Sequence, residues 1–418
     1  MSDSLWDFKQ AHSLYGLETK THAYFLENQR RCMSKKYVSF GSKEGLAQTA
    51  ISNFMVVNEH MSNFTSANLC LPELKPDLDP YSQILRIARK VVYSILSPLD
   101  EDEWFLLCRN SAGTSQGVSF FDTSLEAKFT YPISGSVRLR ALVDRYLSFD
   151  FQLKDAIAVH NDGRDNSVLS YRESNASRAT TVPKTNETDR LIAIEPTWNM
   201  FFQQGLMSAM YLRLARFGLD VRTLPNKHKS LALEGSITGR KSTIDFSSAS
   251  DCVSLDLVRW LMPPAWFHRC ERVRSEYMDL NGELLKLNMF ATMGNAVTFP
   301  LETIVFYSLA VASTFYIGLE PGHKLGTLVD EKSKSQVSVF GDDCILPTFA
   351  VRQFLSVAER VGFIVNDSKS FYNDGGGFRE SCGGDYLHGK DVRALYIKPP
   401  TSNKLSALEP WLYVIYNG

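Results

Sequence analysis

The sequence contains no Cys-x-x-Cys pair. Its seven cysteines (Cys32, Cys70, Cys108, Cys252, Cys270, Cys344 and Cys382) are odd in number and lack metal-ligand spacing. That argues against a disulfide framework or a zinc site and fits a reducing cytoplasm. A basic-then-apolar leader is missing from "MSDSLWDFKQAHSLYG", so secretion is not expected. Net charge is almost absent too. With 45 basic against 46 acidic residues, the whole-chain balance neither demands nor excludes a nucleic-acid partner, which would have to be met by local patches. One candidate runs from Arg222 to Lys241, where Arg222, Lys227, Lys229, Arg240 and Lys241 outweigh Glu234; another is Arg30, Arg31, Lys35 and Lys36. Either patch taken alone reads as a solvated face.

No long, purely apolar run is present. The most membrane-like stretch, "FPLETIVFYSLAVASTFYIGL" at 299–319, carries Glu302 and scattered polar residues, which predicts a buried core helix and no membrane association. Repeats and low-complexity linkers are also lacking. A chain of 418 residues exceeds one ordinary core, so two or three subdomains are expected, intertwined and not strung out. Its 44% hydrophobic and 22% charged residues are those of a folded globular protein.

Residues 1 to about 180 mix short apolar runs with polar loops such as "HNDGRDNS" at 160–167, where Asn-Asp-Gly reads as a tight turn. From about 231 the pattern sharpens. "KSTIDFSSASD" offers a short strand ending near Asp245, and Val253, Leu257, Val258 and Leu261 then repeat at helical spacing until Pro263 and Pro264. "ELLKLNMF" at 283–290 alternates like a strand, and a long helix is expected from Pro300 to about Tyr316. "VSVF" and "CILP" bracket Gly341 and Asp342, the signature of a two-residue type II′ hairpin. Val351, Phe354, Leu355 and Ala358 mark another helix, with Gly362 as its stop. This order suits an α+β fold, an antiparallel sheet backed by helices.

A Gly-Asp-Asp tripeptide arises by chance in roughly one chain of this length in ten, so alone it says little. Its setting says more, because it caps two strands that read as buried. Asp245 ends another such strand. If the strands are neighbours, Asp245, Asp342 and Asp343 converge on one sheet edge, where they repel unless cations lie between them. Mg²⁺ prefers oxygen ligands and keeps sites for water and phosphates, so the pattern points to two-metal phosphoryl transfer. Asp245 taken alone reads as a cap or turn residue.

Six blocks carry a resemblance: "TVPKTNETDRLIAIEPTWNMFFQQGL" (181–206), "STIDFSSASDCVSL" (242–255), "MFATMGNAVTFPLET" (289–303), "VSVFGDDCILP" (337–347), "VGFIVNDSKSF" (361–371) and "GFRESCGGDYLHGKDVRALYI" (377–397). In this order they span about half the chain. The chain resembles the RNA-directed RNA polymerase (replicase) β subunits of leviviruses, small positive-strand RNA bacteriophages. The resemblance implies a right-hand fold: fingers and N-terminal region at 1–230, palm at 231–376, palm–thumb junction and partial thumb at 377–418. It implies that Asp245, Asp342 and Asp343 are catalytic metal ligands for two Mg²⁺, with Mn²⁺ as a substitute. It likens Asp251 to the carboxylate that accepts a hydrogen bond from the incoming ribose, which favours ribonucleotides. Asn295 beside Gly294 resembles the amide supporting that contact, and Gly294 lets backbone approach the nucleotide. Lys184 and Arg190 match the segment that holds the triphosphate. Lys369 falls where such polymerases often carry a general acid for the leaving pyrophosphate. "FRESCGG" is similar to a segment that grips the primer, with Cys382 read as packing.

Implied partners are an RNA template and product, nucleoside triphosphates, host elongation factors Tu and Ts and a small-subunit ribosomal protein, in the cytoplasm of a bacterial host. Replicases of this family continue well beyond this chain's length, leaving much of the expected thumb outside it. The rival expectation is therefore an RNA-binding protein with a polymerase-like palm and no turnover.

Overall fold

The structure, a computed structural model, describes residues 43–65, 68–69, 71, 79–161, 171–185, 187–318, 336–372 and 377–393. Arg30, Arg31, Lys35, Lys36, most of the 160–167 turn and residues 394–418 lie outside the described residues.

Helices α1 (Lys43–Met61) and α2 (Pro80–Ile95) lead the described chain. Asp79 starts α2 by accepting hydrogen bonds from the Tyr81 and Ser82 N–H groups, with Pro80 in the first turn where no N–H is needed. After a short parallel pair, β1 (Ile133–Gly135) and β2 (Tyr171–Glu173), the hairpin of β3 (Ala176–Pro183) and β4 (Asp189–Ile194) follows. Lys184 sits in its loop and Arg190 on β4. Helix α3 (Thr197–Arg216) leads to α4 (Leu224–Thr238), which stops at left-handed Gly239. Strands β5 (Lys241–Ile244) and β6 (Phe246–Ser247) flank Asp245, and Ser254 caps α5 (Leu255–Leu261). Strands β7 (Tyr277–Leu280) and β8 (Glu283–Lys286) precede α6 (Thr298–Ile317). The chain continues through β9 (Ser338–Phe340), β10 (Asp343–Pro347), α7 (Val351–Arg360) and β11 (Ile364–Val365) to β12 (Phe378–Ser381), β13 (Gly384–Leu387) and β14 (Lys390–Asp391).

Two of the sheets frame the site. An antiparallel sheet runs β5-β10-β9, with β10 central. A mixed sheet runs β4-β3-β7-β8, so residues 277–286 pair with the 176–194 hairpin and not with the strands nearest them in sequence. The strand expected over 283–290 ends at Lys286. Asn288 turns away to donate from its N–H and its Nδ2 to the side-chain and backbone oxygens of Asn58 on α1, and Met289 bridges to Ser254.

Helix α6 lies behind the β5-β10-β9 sheet and packs on α2 and α7. Nearly all of its side chains are buried, Glu302 among them. It is the one helix among the described residues long and apolar enough to cross a membrane, and 89% of that window is buried within the protein, as expected of a core helix. Phe306 stacks on Phe246 with ring centroids 4.5 Å apart and meets Phe363 at 4.4 Å. These contacts hold Phe246, the residue after Asp245, in the core, each aromatic pair adding about 1 kcal/mol to plain burial.

Candidate active site

Phe340 pairs with Asp343, which leaves Gly341 and Asp342 as a two-residue turn. Gly341 has φ +62° and Asp342 lies outside the left-handed region, as a type II′ turn requires. The Gly341 N–H donates to Thr303 Oγ1 of α6 at 3.0 Å, so the buried helix anchors the turn. Asp342 is exposed at its tip.

The strand ending before Asp245 and the strand starting at Asp343 are neighbours. Cys344 lies opposite Ile244, and one step further the antiparallel register sets Asp343 opposite Asp245. Each carboxylate has one oxygen committed to a neutral donor. Asn366 Nδ2 donates to Asp245 Oδ2 at 2.7 Å. The Cys382 N–H and thiol both donate to Asp343 Oδ2, at 3.2 and 3.4 Å. Burial pushes Asp245 up to about 6, opposed by Lys369 and reinforced by Asp342. It pushes Asp343 up to about 7, again reinforced by Asp342.

Among the described residues, no three acidic, histidine or cysteine groups close around one ion-sized point. The donor set nevertheless fits a hard divalent cation: all-oxygen, mutually repelling, and fixed at the end of a rigid sheet. Positive charge beside Asp245 and Asp343 would offset the burial that raises these two carboxyls.

Asp251 follows on a 3-10 turn at Ala249–Cys252 and is 6% exposed. Burial raises it to about 7 against the pull of Lys184 and Arg190, so these two exposed cations and the buried carboxylate share one electrostatic neighbourhood. Its Oδ1 has no hydrogen-bond partner among the described residues, and the same is true of Glu302 Oε1. Burial drives Glu302 well up, with Asp342 and Asp251 adding to the shift. Sequence reading passed over Glu302 because it sits in an apolar helix and looks like a polar interruption.

Gly294 has φ +109°, and a Cβ there would lie 2.0 Å from the Ala193 carbonyl oxygen. The Ala193 N–H donates to Met293 O at 2.7 Å, so the 293–295 loop is stapled to β4, the strand that carries Arg190. Asn295 is buried with both ends of its amide engaged inside the protein. Its Nδ2 donates to Glu195 Oε1 at 3.5 Å and its Oδ1 accepts from Val297 N–H at 3.0 Å. Glu195 is itself buried, accepts from Ser275 Oγ at 2.6 Å, and is pushed by burial up to about 7. No hydrogen bond joins Asn295 to Asp251 among the described residues. Glu195 was legible only as an acid at the end of the apolar run "LIAI".

Two sequence readings change. Arg222, counted in the basic patch, is bound bidentately by Asp220 at 2.7–3.2 Å, and among the other cations of that patch Lys227 and Lys241 are close enough to repel each other. In "FRESCGG", Arg379 is 2% exposed and donates to Lys241 O at 2.6 Å, tying β12 to β5. Cys382 does more than pack, since it touches Asp343; burial and that carboxylate push its thiol up, so it keeps its proton and can donate.

Comparison with known proteins gives the family. The family described as RNA replicase, beta-chain, matches residues 12–409. The chain belongs to the RNA replicase beta-chain family. It is 34% identical over 341 residues to the RNA-directed RNA polymerase subunit beta of Escherichia virus Qbeta, covering 80% of this chain and 52% of that one. It is 33% identical over 296 residues to the RNA-directed RNA polymerase beta chain of Escherichia phage MS2, covering 71% and 50%. The chain thus spans about half the length of the curated relatives it matches. Among solved structures, it is similar to the RNA-dependent RNA polymerase of a human picorbirnavirus, with TM-score 0.45, 12% identity, and 94% and 83% of the two chains covered.

Proposed function

We propose that this member of the replicase beta-chain family carries the centre for template-directed RNA synthesis, in which the 3′-hydroxyl of the growing strand attacks the α-phosphate of a nucleoside triphosphate. The observation that carries the reading is the pairing of Cys344 with Ile244, which brings Asp343 of β10 and Asp245, the residue after β5, to the same end of adjoining strands, with Asp342 in the turn beside them. On this reading residues 1–230 are fingers and N-terminal region, 231–376 palm, and 377–418 the palm–thumb junction and partial thumb.

Asp245, Asp342 and Asp343 hold Mg²⁺, or Mn²⁺ in its place, which when bound activates the attacking hydroxyl and neutralises charge on the leaving group. Lys184 and Arg190, exposed at the β3–β4 end, hold the triphosphate. Asp251, held beneath them with one free oxygen, accepts the ribose 2′-hydroxyl. Gly294 and Asn295 keep the 293–295 loop against β4, the strand that carries Arg190. Lys369, which acts on Asp245 through its charge, protonates the departing pyrophosphate. Lys227 and Lys241 face the RNA. The partners of this reading are an RNA template and product, nucleoside triphosphates, elongation factors Tu and Ts and a small-subunit ribosomal protein, in the cytoplasm of a bacterial host.

The test is Mg²⁺-dependent ribonucleotide incorporation on an RNA template by the chain and its Asp342→Ala variant, alone and with bacterial extract. Incorporation that the variant loses by at least about a hundredfold supports the reading. Equal incorporation by both sinks it, and RNA binding without incorporation in every condition favours the binding-only alternative.

A further inference from the structure

We infer that Cys382 is a positioning residue for Asp343: its backbone N–H and its thiol hold one carboxylate oxygen and so aim the other toward the cation. The inference rests on the reading of Asp343 as a metal ligand.

The geometry begins with a turn. Ser381 pairs with Gly384, so Cys382 and Gly383 form a two-residue hairpin between β12 and β13. Both have positive φ, +48° and +70°, the backbone of a type I′ turn. Such turns favour Asn, Asp or Gly at the first central position, and a cysteine held there pays a steric cost of about 1 kcal/mol. The turn alone therefore does not explain the residue.

The tip of the turn meets Asp343 across the sheet edge, where the N–H lies 3.2 Å and the Sγ 3.4 Å from the same Oδ2. Two donors from one residue fix both the rotation and the tilt of a carboxylate, which a single hydrogen bond cannot do. Behind the turn, His228 Nδ1 and Ser381 Oγ lie 2.9 Å apart, and Arg379 ties β12 to the Lys241 carbonyl at 2.6 Å. The tip is thus carried by a supported strand pair. Asn366 gives Asp245 the matching treatment, with its Nδ2 donating to Oδ2 and its own Oδ1 accepting from Ser368 Oγ at 2.8 Å. Each of the two facing aspartates therefore has a dedicated neutral donor on one oxygen and none from a described residue on the other.

Three substitutions separate positioning from packing. Cys382→Gly suits the turn better than cysteine, keeps the N–H and removes the thiol. Cys382→Ser keeps a donor of similar reach. Asp343→Asn removes the carboxylate itself. The measurement is Mn²⁺ binding to the RNA-free chain by electron paramagnetic resonance, with thermal melting as a check on folding. The expected result is Mn²⁺ affinity about tenfold weaker in Cys382→Gly, the low end for groups that orient a metal ligand, with melting unchanged or raised. Cys382→Ser should stay within about twofold of the parent, since its hydroxyl restores the second donor. In the incorporation assay Cys382→Gly should need correspondingly more Mg²⁺ for half-maximal rate while approaching the parent rate at saturating Mg²⁺. Unchanged Mn²⁺ affinity in Cys382→Gly, where Asp343→Asn weakens it, overturns the positioning role and leaves the metal-site reading standing. Unchanged affinity in Asp343→Asn overturns the metal-site reading and this inference with it.

Discussion

Gly341 and Gly294 both hold positive φ, and a side chain at either would collide, yet with different partners. At Gly341 a Cβ would meet the edge of the Phe299 ring at 2.6 Å; at Gly294 it would meet the backbone oxygen of Ala193 at 2.0 Å. A ring can rotate aside. A carbonyl on a paired strand cannot move unless β4 moves with it. The first glycine serves a local turn, whereas the second serves the close approach of two distant segments, the 293–295 loop and β4, the strand that carries Arg190.

The sharpest break of this comparison is Gly294→Ala. It forces the 293–295 loop from β4, strains the Ala193-to-Met293 hydrogen bond and disfavours a backbone of φ +109°. Loss of about 3 kcal/mol of stability and at least about a hundredfold in incorporation is expected, read by denaturant melts and the RNA-template assay. Gly341→Ala should cost less, about 1–2 kcal/mol, because φ +62° strains alanine modestly and Phe299 can adjust. Equal losses in the two variants would mean that the staple to β4 carries no special weight.

The same contrast explains what could be read from the sequence. The β9–β10 hairpin, α6, α7 and the strand before Asp245 were legible because each declares itself within a few residues: a glycine between apolar runs, a period of 3.6, a stop at Gly362. Bringing Asp245, Asp342 and Asp343 to one sheet edge needed only the assumption that two strands are neighbours, and β5 and β10 do pair. What stayed hidden depends on contacts between residues far apart in sequence. Glu195 meets Asn295 across a hundred positions, Cys382 meets Asp343 across 39, and β3 pairs with β7 from the far side of α3 and α4. No local pattern encodes such meetings. Arg222 misled for the opposite reason, since its partner Asp220 stands just outside the window that was counted.

Asp251 offers a smaller test, in which pH separates burial from charge pairing. Its folded value of about 7 lies above the ordinary 3.8, so the folded chain binds this proton more tightly than the unfolded one. Stability from this group is therefore fully present below about pH 4, declines as pH rises toward 7, and is lost above it. Asp251→Asn removes the ionisable group. Without nucleotide, the variant should melt a few degrees above the parent at pH 8 and level with it near pH 4, while losing its preference for ribo- over deoxyribonucleotides. A variant that melts lower at pH 8 would mean that Lys184 and Arg190 stabilise the ionised carboxylate by more than burial costs it.

The smallest effect is expected at Arg222, and it tests whether a basic patch is the sum of its cations. Asp220 accepts from both Nε and Nη2 of Arg222, and the guanidinium beside it holds the Asp220 carboxyl at about 2, so the pair presents little net charge to a passing phosphate. Lys227 and Lys241 repel each other, and a phosphate near both would relieve that repulsion. Arg222→Ala should leave RNA affinity within about twofold and its salt dependence unchanged, whereas Lys241→Ala should weaken binding and lower the salt slope by about 0.7, one single-strand phosphate contact. An equal drop from Arg222→Ala would mean that RNA displaces Asp220, and that the patch read from the sequence was nearer the truth than the ion pair in the fold.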